Sequence, residues 1–233
     1  MTEVLREIAF DTETTGLDPR NGDRVVELGA VEMVNHVATD RTFRMLINPE
    51  RSVSEATVQI TGLTDELLAD KPKFADPGVV DALISFIADA KIVAHNAQFD
   101  RGFLNMELER CGRAPYPEDR WIDTLQIAKQ RFPGAPASLD ALCRRFDISL
   151  ESRTLHGALL DAQLLADVYL ELRGGRARAF DFEPAKTSAA QADRRPARQR
   201  PSPLPPQVSE DEAALHAAFI ASLGEKSVWR SYD

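Results

Sequence analysis

A chain of 233 residues with a formal net charge of −9 is long enough for one well-cored domain plus an extension. Its content of 43% apolar and 28% charged residues is that of an ordinary globular protein; no run of about 18 apolar residues is present and Met1-Thr2-Glu3-Val4 lacks the basic-then-apolar pattern of a secretory signal, so no membrane association is expected and a cytoplasmic location is. A stand-alone nucleic-acid binder is usually basic, so the acidic balance points either away from nucleic acid or to a site that holds cations and borrows its grip on the substrate.

In chain order, Leu5–Phe10 is a short apolar run ending at Asp11, Arg24–Val34 is rich in Val, Leu and Met, and Thr42–Ile47 alternates with Phe43, Met45 and Ile47 on one face. Three strands with short connections predict an antiparallel meander. Asp76–Ala90 has helical spacing, Lys91–Ala94 reads as a short buried strand, and Ala97–Arg110 reads as a helix with Asn96 as its N-cap. A short strand at Trp121–Ile122 precedes a helix over Asp123–Arg131, broken by Phe132-Pro133-Gly134. Two further helices are expected over Leu139–Phe146 and Leu155–Leu172, the last ended by Gly174-Gly175. Cys111 and Cys143 both fall in these helical patterns, which argues against a disulfide scaffold or a zinc site. A meander followed by alternating helices and strands is an α/β pattern with a mixed sheet.

From Pro184 the composition changes. Residues 184–209 carry Lys186, Arg194, Arg195, Arg198 and Arg200 against Asp193, with repeated prolines and almost no large apolar side chains, so a disordered linker is expected. Ser209-Glu210-Asp211-Glu212 is a capping box. Leu215, Phe219 and Leu223 then recur at i, i+4, i+8 before Gly224 stops the helix, with Val228 and Trp229 just beyond. Such a tethered amphipathic helix either folds back on its own domain or docks on another protein, and the linker favours docking.

Three stretches carry chemistry. Phe10-Asp11-Thr12-Glu13-Thr14-Thr15-Gly16 puts two carboxylates two residues apart at a strand end, on one face; by itself the pair reads equally as a metal site or a solvated turn. His95-Asn96-Ala97-Gln98-Phe99-Asp100 follows a buried strand and sets Asp100 in a helix's first turn, where a negative charge is favoured without any function. Leu155-His156-Gly157-Ala158-Leu159-Leu160-Asp161 places an acid among leucines, costly unless paired or metal-bound. Asp11, Glu13, Asp100 and Asp161 together form an all-carboxylate set suited to Mg²⁺ or Mn²⁺. Two such ions can clamp the attacking and leaving oxygens of a phosphodiester, and a neutral His156 can take a proton from water.

The three motifs, in this order, resemble those of the DEDDh 3′→5′ exonucleases, a family on the ribonuclease H-like fold. Within it, residues 4–175 are most similar to the epsilon proofreading subunits of bacterial DNA polymerase III, with further matches at Ile122-Asp123-Thr124-Leu125 and Ser138-Leu139-Asp140-Ala141-Leu142-Cys143. The resemblance implies a mixed five-stranded sheet flanked by helices. It implies Asp11, Glu13, Asp100 and Asp161 as ligands of two divalent ions and His156 as general base, with mismatched 3′-terminal nucleotides of DNA released as nucleoside 5′-monophosphates. Asp11, Glu13 and Asp161 would also touch the substrate, as would Glu55 and Thr61 ahead of the Gly62-Leu63-Thr64 turn; epsilon subunits often carry His where this chain has Thr61. Asp123 reads instead as a helix cap.

These readings give an exonuclease domain over 1–183, a Pro/Arg-rich linker over 184–209 and a polymerase-docking segment over 210–233. The implied partners are a primer 3′ end, the polymerase alpha subunit, a small theta-type subunit and a sliding clamp. For the clamp, Ala177-Arg178-Ala179-Phe180-Asp181-Phe182 offers two aromatics without a leading Gln, and sealing the domain's end is an equal reading. Two other functions fit the residues less well. A stand-alone DEDDh nuclease on RNA or short oligonucleotides would not need the tethered helix, and a catalytically silent adaptor would not need the acid–His set.

Overall fold

The computed structural model describes residues 4–150, 155–175 and 209–223. The chain divides into two units, 1–182 and 183–233, each taken by itself. The first is built on five strands: β1 (Arg6–Thr14), β2 (Val25–Val34), β3 (Val37–Leu46), β4 (Lys91–Ala94) and β5 (Trp121–Asp123). Their order in the sheet is β3-β2-β1-β4-β5. The pairings β1–β2 and β2–β3 are antiparallel, β1–β4 and β4–β5 parallel. The meander is as the alternation predicts, and β1 becomes the central strand.

Helices follow as α1 (Glu55–Thr61), α2 (Asp65–Leu68), α3 (Pro77–Ile87), α4 (Ala97–Arg110), α5 (Thr124–Arg131), α6 (Leu139–Arg145) and α7 (Ala158–Leu172). Alternation along the central strands divides the core between the two faces. Ile8, Phe10, Leu28 and Ala30 pack with Val79, Leu83, Ile87, Phe103 and Leu104 of α3 and α4. Ala9, Val31, Met33 and Val93 pack with Ala162, Leu165, Ala166 and Tyr169 of α7. Helix α7 is also covered by α5 and α6 through Ala128, Leu142, Cys143, Leu164 and Val168. This is the mixed five-stranded sheet flanked by helices that the resemblance implies. Among the described residues no helix is long and apolar enough to cross a membrane.

The differences from the sequence reading have local causes. Strand β3 begins five residues before the expected Thr42, because Asn35 and His36 both take positive φ (52° and 70°) and close a two-residue hairpin. Helices α1 and α2 fall where no element was expected. They are short segments capped by Ser54 and Thr64, whose side chains accept from Thr57 N–H and Leu67 N–H, and at seven and four residues they give little periodicity to read. Asn96 does not cap α4 with its side chain. It is left-handed (φ 70°) and makes no side-chain cap hydrogen bond; instead its N–H donates to Asp123 Oδ1 at 3.1 Å. Asp123 is the cap it was read to be, accepting also from Leu125 N–H at 2.9 Å.

In the second unit, α8 (Glu210–Ser222) carries the capping box, with Ser209 Oγ accepting from Glu212 N–H and Ser209 N–H donating to the Glu212 carboxylate. Leu215, Phe219 and Leu223 are exposed. The linker, the clamp-like segment and the residues from Gly224 onward, Val228 and Trp229 among them, lie outside the described residues.

Candidate active site

The parallel strands β1 and β4 end on the same side of the sheet, the side where ligands bind in open α/β sheets. Asp11 and Glu13 lie in the last four residues of β1, within the strand, on the face that packs against α7. Thr12 between them points the other way, and its hydroxyl donates to Asp100 Oδ1 at 2.8 Å. Asp100 sits in the first turn of α4 and is buried. Burial pushes its carboxyl up to about 7, against the Thr12 and backbone hydrogen bonds that favour the carboxylate. The neighbouring His95 is held below the usual histidine value by burial, and its Nδ1 lies 2.9 Å from Thr124 Oγ1.

Helix α7 brings the third motif. Its N-cap is Gly157, which has no side chain to offer, and Asp161 falls in the first turn, only 3% exposed. His156 lies just before the helix, half exposed, with Nδ1 3.2 Å from Asp161 Oδ2. Its N–H donates to Ile60 O at 3.0 Å, so α1 steadies the segment that carries the imidazole. Ligand atoms of Glu13, His156 and Asp161 all lie within 4.8 Å of one another. The first turns of α4 and α7 thus deliver Asp100 and Asp161 to the end of β1, where the positive ends of two helix dipoles offset part of the repulsion between carboxylates. The carboxylate oxygens drawn together at this partly buried strand end fit a hard divalent cation, and the imidazole stands beside them.

Of the two remaining site candidates, Thr61 is buried at the C-terminal end of α1. Its hydroxyl donates to Thr57 O and accepts from Leu63 N–H. Glu55 is exposed in the first turn of α1, roughly 9 Å along the helix from Thr61 at 1.5 Å per residue.

A family profile described as Exonuclease matches residues 8–169. The DNA polymerase III subunit epsilon of Rickettsia felis is 52% identical over 76% of this chain and 77% of its own length. That of Escherichia coli K12 is 37% identical over 99% of both chains. Among solved structures, exonuclease X in complex with 5′ overhanging duplex DNA superposes with a TM-score of 0.56 at 27% identity, covering 74% of this chain and 93% of that one. The chain belongs to this exonuclease family, together with the DNA polymerase III epsilon subunits. It is a 3′→5′ exonuclease, and divalent metal ions are the cofactors of its family.

Two clefts lie on the exonuclease beside the elements that carry the motifs. One, of about 740 Å³, runs along the start of α4 between Leu17, Pro19, Asn96, Phe99 and Arg101. The other, of about 510 Å³, adjoins His156 and is lined by Gln59, Ile60, Arg144 and Leu155. The motif reading missed the residues that seat α7. On β2, Gly29 pairs with Asp11, and a Cβ there would overlap the Ala158 carbonyl and the Leu159 amide. The helix's first turn therefore rests directly on the sheet beside Asp11. The signal was present in the sequence, since a glycine inside an apolar strand often marks close backbone approach.

Proposed function

We propose that this exonuclease proofreads for a replicative DNA polymerase, removing mismatched 3′-terminal nucleotides from a primer as nucleoside 5′-monophosphates. The observation that carries this reading is the convergence of Glu13, Asp161 and His156 at the end of β1. Asp11, Glu13, Asp100 and Asp161 would hold two divalent ions, Mg²⁺ or Mn²⁺. Bound there, the ions would supply Lewis-acid stabilisation to the attacking and leaving oxygens of the phosphodiester.

The chain's own side chains account for the rest. His156 is half exposed and lines an open cleft, so it can take a proton from the water that attacks the terminal phosphorus. The new P–O bond forms as the bond to the preceding 3′ oxygen breaks, leaving a shortened strand with a 3′-hydroxyl. The cleft beside α4 offers apolar Leu17 and Phe99 to a base, and a phosphate there would compete with Glu118, 3.1 Å from Arg101, for the guanidinium. Asp11, Glu13 and Asp161 would also approach the terminal nucleotide, with α1, bearing Glu55 and Thr61, along its edge. An acidic chain gains little from phosphate attraction by itself, which suits an enzyme whose DNA is held by a larger assembly. The exposed stripe of α8 suits docking to the polymerase alpha subunit. A small theta-type subunit and a sliding clamp are further proposed partners.

The test is digestion of matched and mismatched 3′-ended primers with Mg²⁺ and with Mn²⁺, alone and with the polymerase subunit. Asp11→Ala and His156→Ala should each lower the rate by at least about 100-fold, the order seen when one preorganised group at a transition state is removed, with the thermal melt retained. Wild-type rates in either variant at equal purity would refute the assignment.

A further inference from the structure

Glu27 stands outside the four acids and the histidine, yet it is only 1% exposed. A buried carboxylate is costly unless paired and hydrogen-bonded, and each partner of Glu27 leads to helix α7. On β2 it pairs in register with Glu13. Its Oε2 accepts from Ala158 N–H at 3.2 Å, the first residue of a helix whose N-cap, Gly157, has no side chain. Glu27 thus reaches across from the sheet to do what a capping Ser or Asp ordinarily does, with its charge at the positive end of the helix dipole. Its Oε1 accepts from Arg44 Nε at 2.6 Å. Arg44 is the β3 partner of Gly29, one diagonal step across the sheet from Glu27 and on the same face. Glu27, Gly29 and Arg44 therefore form one seat: Gly29 lets the first turn of α7 touch the sheet, Glu27 binds its leading amide, and Arg44 fixes Glu27.

We infer that Glu27, held by Arg44, is a positioning residue for hydrolysis. It sets the active-site end of α7, and with it the placement of Asp161 and His156 relative to Glu13. The inference rests on the proposed roles of Asp161 and His156. Partners behind metal ligands typically contribute about 10–100-fold to activity or metal affinity.

The test uses the full chain and its Glu27→Ala, Glu27→Gln and Arg44→Ala variants, with Asp161→Ala and His156→Ala alongside. Steady-state kcat and KM on a primer, Mn²⁺ affinity by calorimetry and thermal melts are measured on each. Glu27→Ala should lower kcat by about 10–100-fold with KM within about twofold, and should weaken Mn²⁺ binding. Glu27→Gln, whose amide oxygen can still accept from Ala158 N–H, should recover much of both, and Arg44→Ala should be the mildest. If Glu27→Ala does not fold, Glu27→Gln and Arg44→Ala carry the same two readouts in graded form. Wild-type kcat per folded molecule and wild-type Mn²⁺ affinity across the series, whatever the melts show, would overturn the inference. If Asp161→Ala and His156→Ala also retain activity, the functional reading itself fails; if they lose it while the Glu27 series does not, only the positioning role fails.

Discussion

At the scale of single residues, the site is made by side chains whose neighbours leave them little choice of position. Thr12 is the simplest case: between two acids on β1 it turns to the opposite face and bonds Asp100, tying the second motif to the first. Gly29 is the most demanding. A Cβ at this position would overlap backbone of α7 that cannot rotate out of the way. Gly29→Ala should lift the first turn of α7, cost about 1–3 kcal/mol in stability as overpacking does, and reduce exonuclease activity by more than the unfolded fraction explains. Melting and turnover on the same preparation separate the two effects, and an unshifted melt with full turnover would contradict the close approach. The motifs that resemble a known family were legible because each sits beside a strong local signal, an apolar strand or a helix start. Glu27 was not, because its role depends on Ala158, 131 positions away along the chain; Gly29 left only the general signal of a glycine inside an apolar strand.

At the scale of elements, charged residues on the sheet seat helix ends according to dipole sign. Glu27 meets the N-terminus of α7. On the opposite face Arg6 donates to Phe86 O and Ile87 O at the C-terminus of α3; from helix α5, Arg131 does the same for Glu171 O at the end of α7. Arg6 also pairs with Glu32 of β2, which Arg41 and Thr39 bond in turn. Burial works to raise the Glu32 pKa, but hydrogen bonds from Arg6 and Thr39 and the charge of Arg41 hold it below the usual 4.5. A carboxyl depressed in the folded state contributes stability that is present above its unfolded value and lost as pH falls through the folded one. The melting temperature of the wild-type chain should therefore fall below about pH 4.5 more steeply than that of Glu32→Gln; parallel curves would refute this. Strand and helix types were readable where a stretch is long enough to show its character, as in the apolar run of β2 and the helical spacing of α3. The ends were less so, because they are decided by caps and turns: the left-handed Asn35–His36 pair and the Ser54 and Thr64 caps of two short helices.

At the scale of the whole molecule, the acidic balance, the donor set and the two-unit division bear on the proposed role together. Asp161, which lies with Glu13 and His156 in one group of ligand atoms, is buried, so a cation that binds only the folded state should stabilise it by mass action. Adding Mn²⁺ at neutral pH should raise the melting temperature by several degrees, and a chelator should reverse the gain; Asp161→Asn should abolish most of it. An Mn²⁺-independent melt would count against the cluster as a metal site. A chain ending near residue 209 should keep its hydrolytic rate on free primers while losing co-purification with the polymerase subunit, and retained co-purification would dismiss the docking role of α8. The composition change at Pro184 was plain in the sequence, whereas the partner's identity rests on relatives.

The buried bond from Tyr169 to Glu7 spans 162 positions of chain. It closes the far end of the face whose near end carries Asp11, Glu13 and Asp161. Strand β1 must therefore wait for α7, made much later in synthesis, before either end of that face is complete. A growing chain still short of α7 lacks Asp161 altogether, so on the role proposed for that residue a ribosome-bound fragment would leave the DNA around it intact.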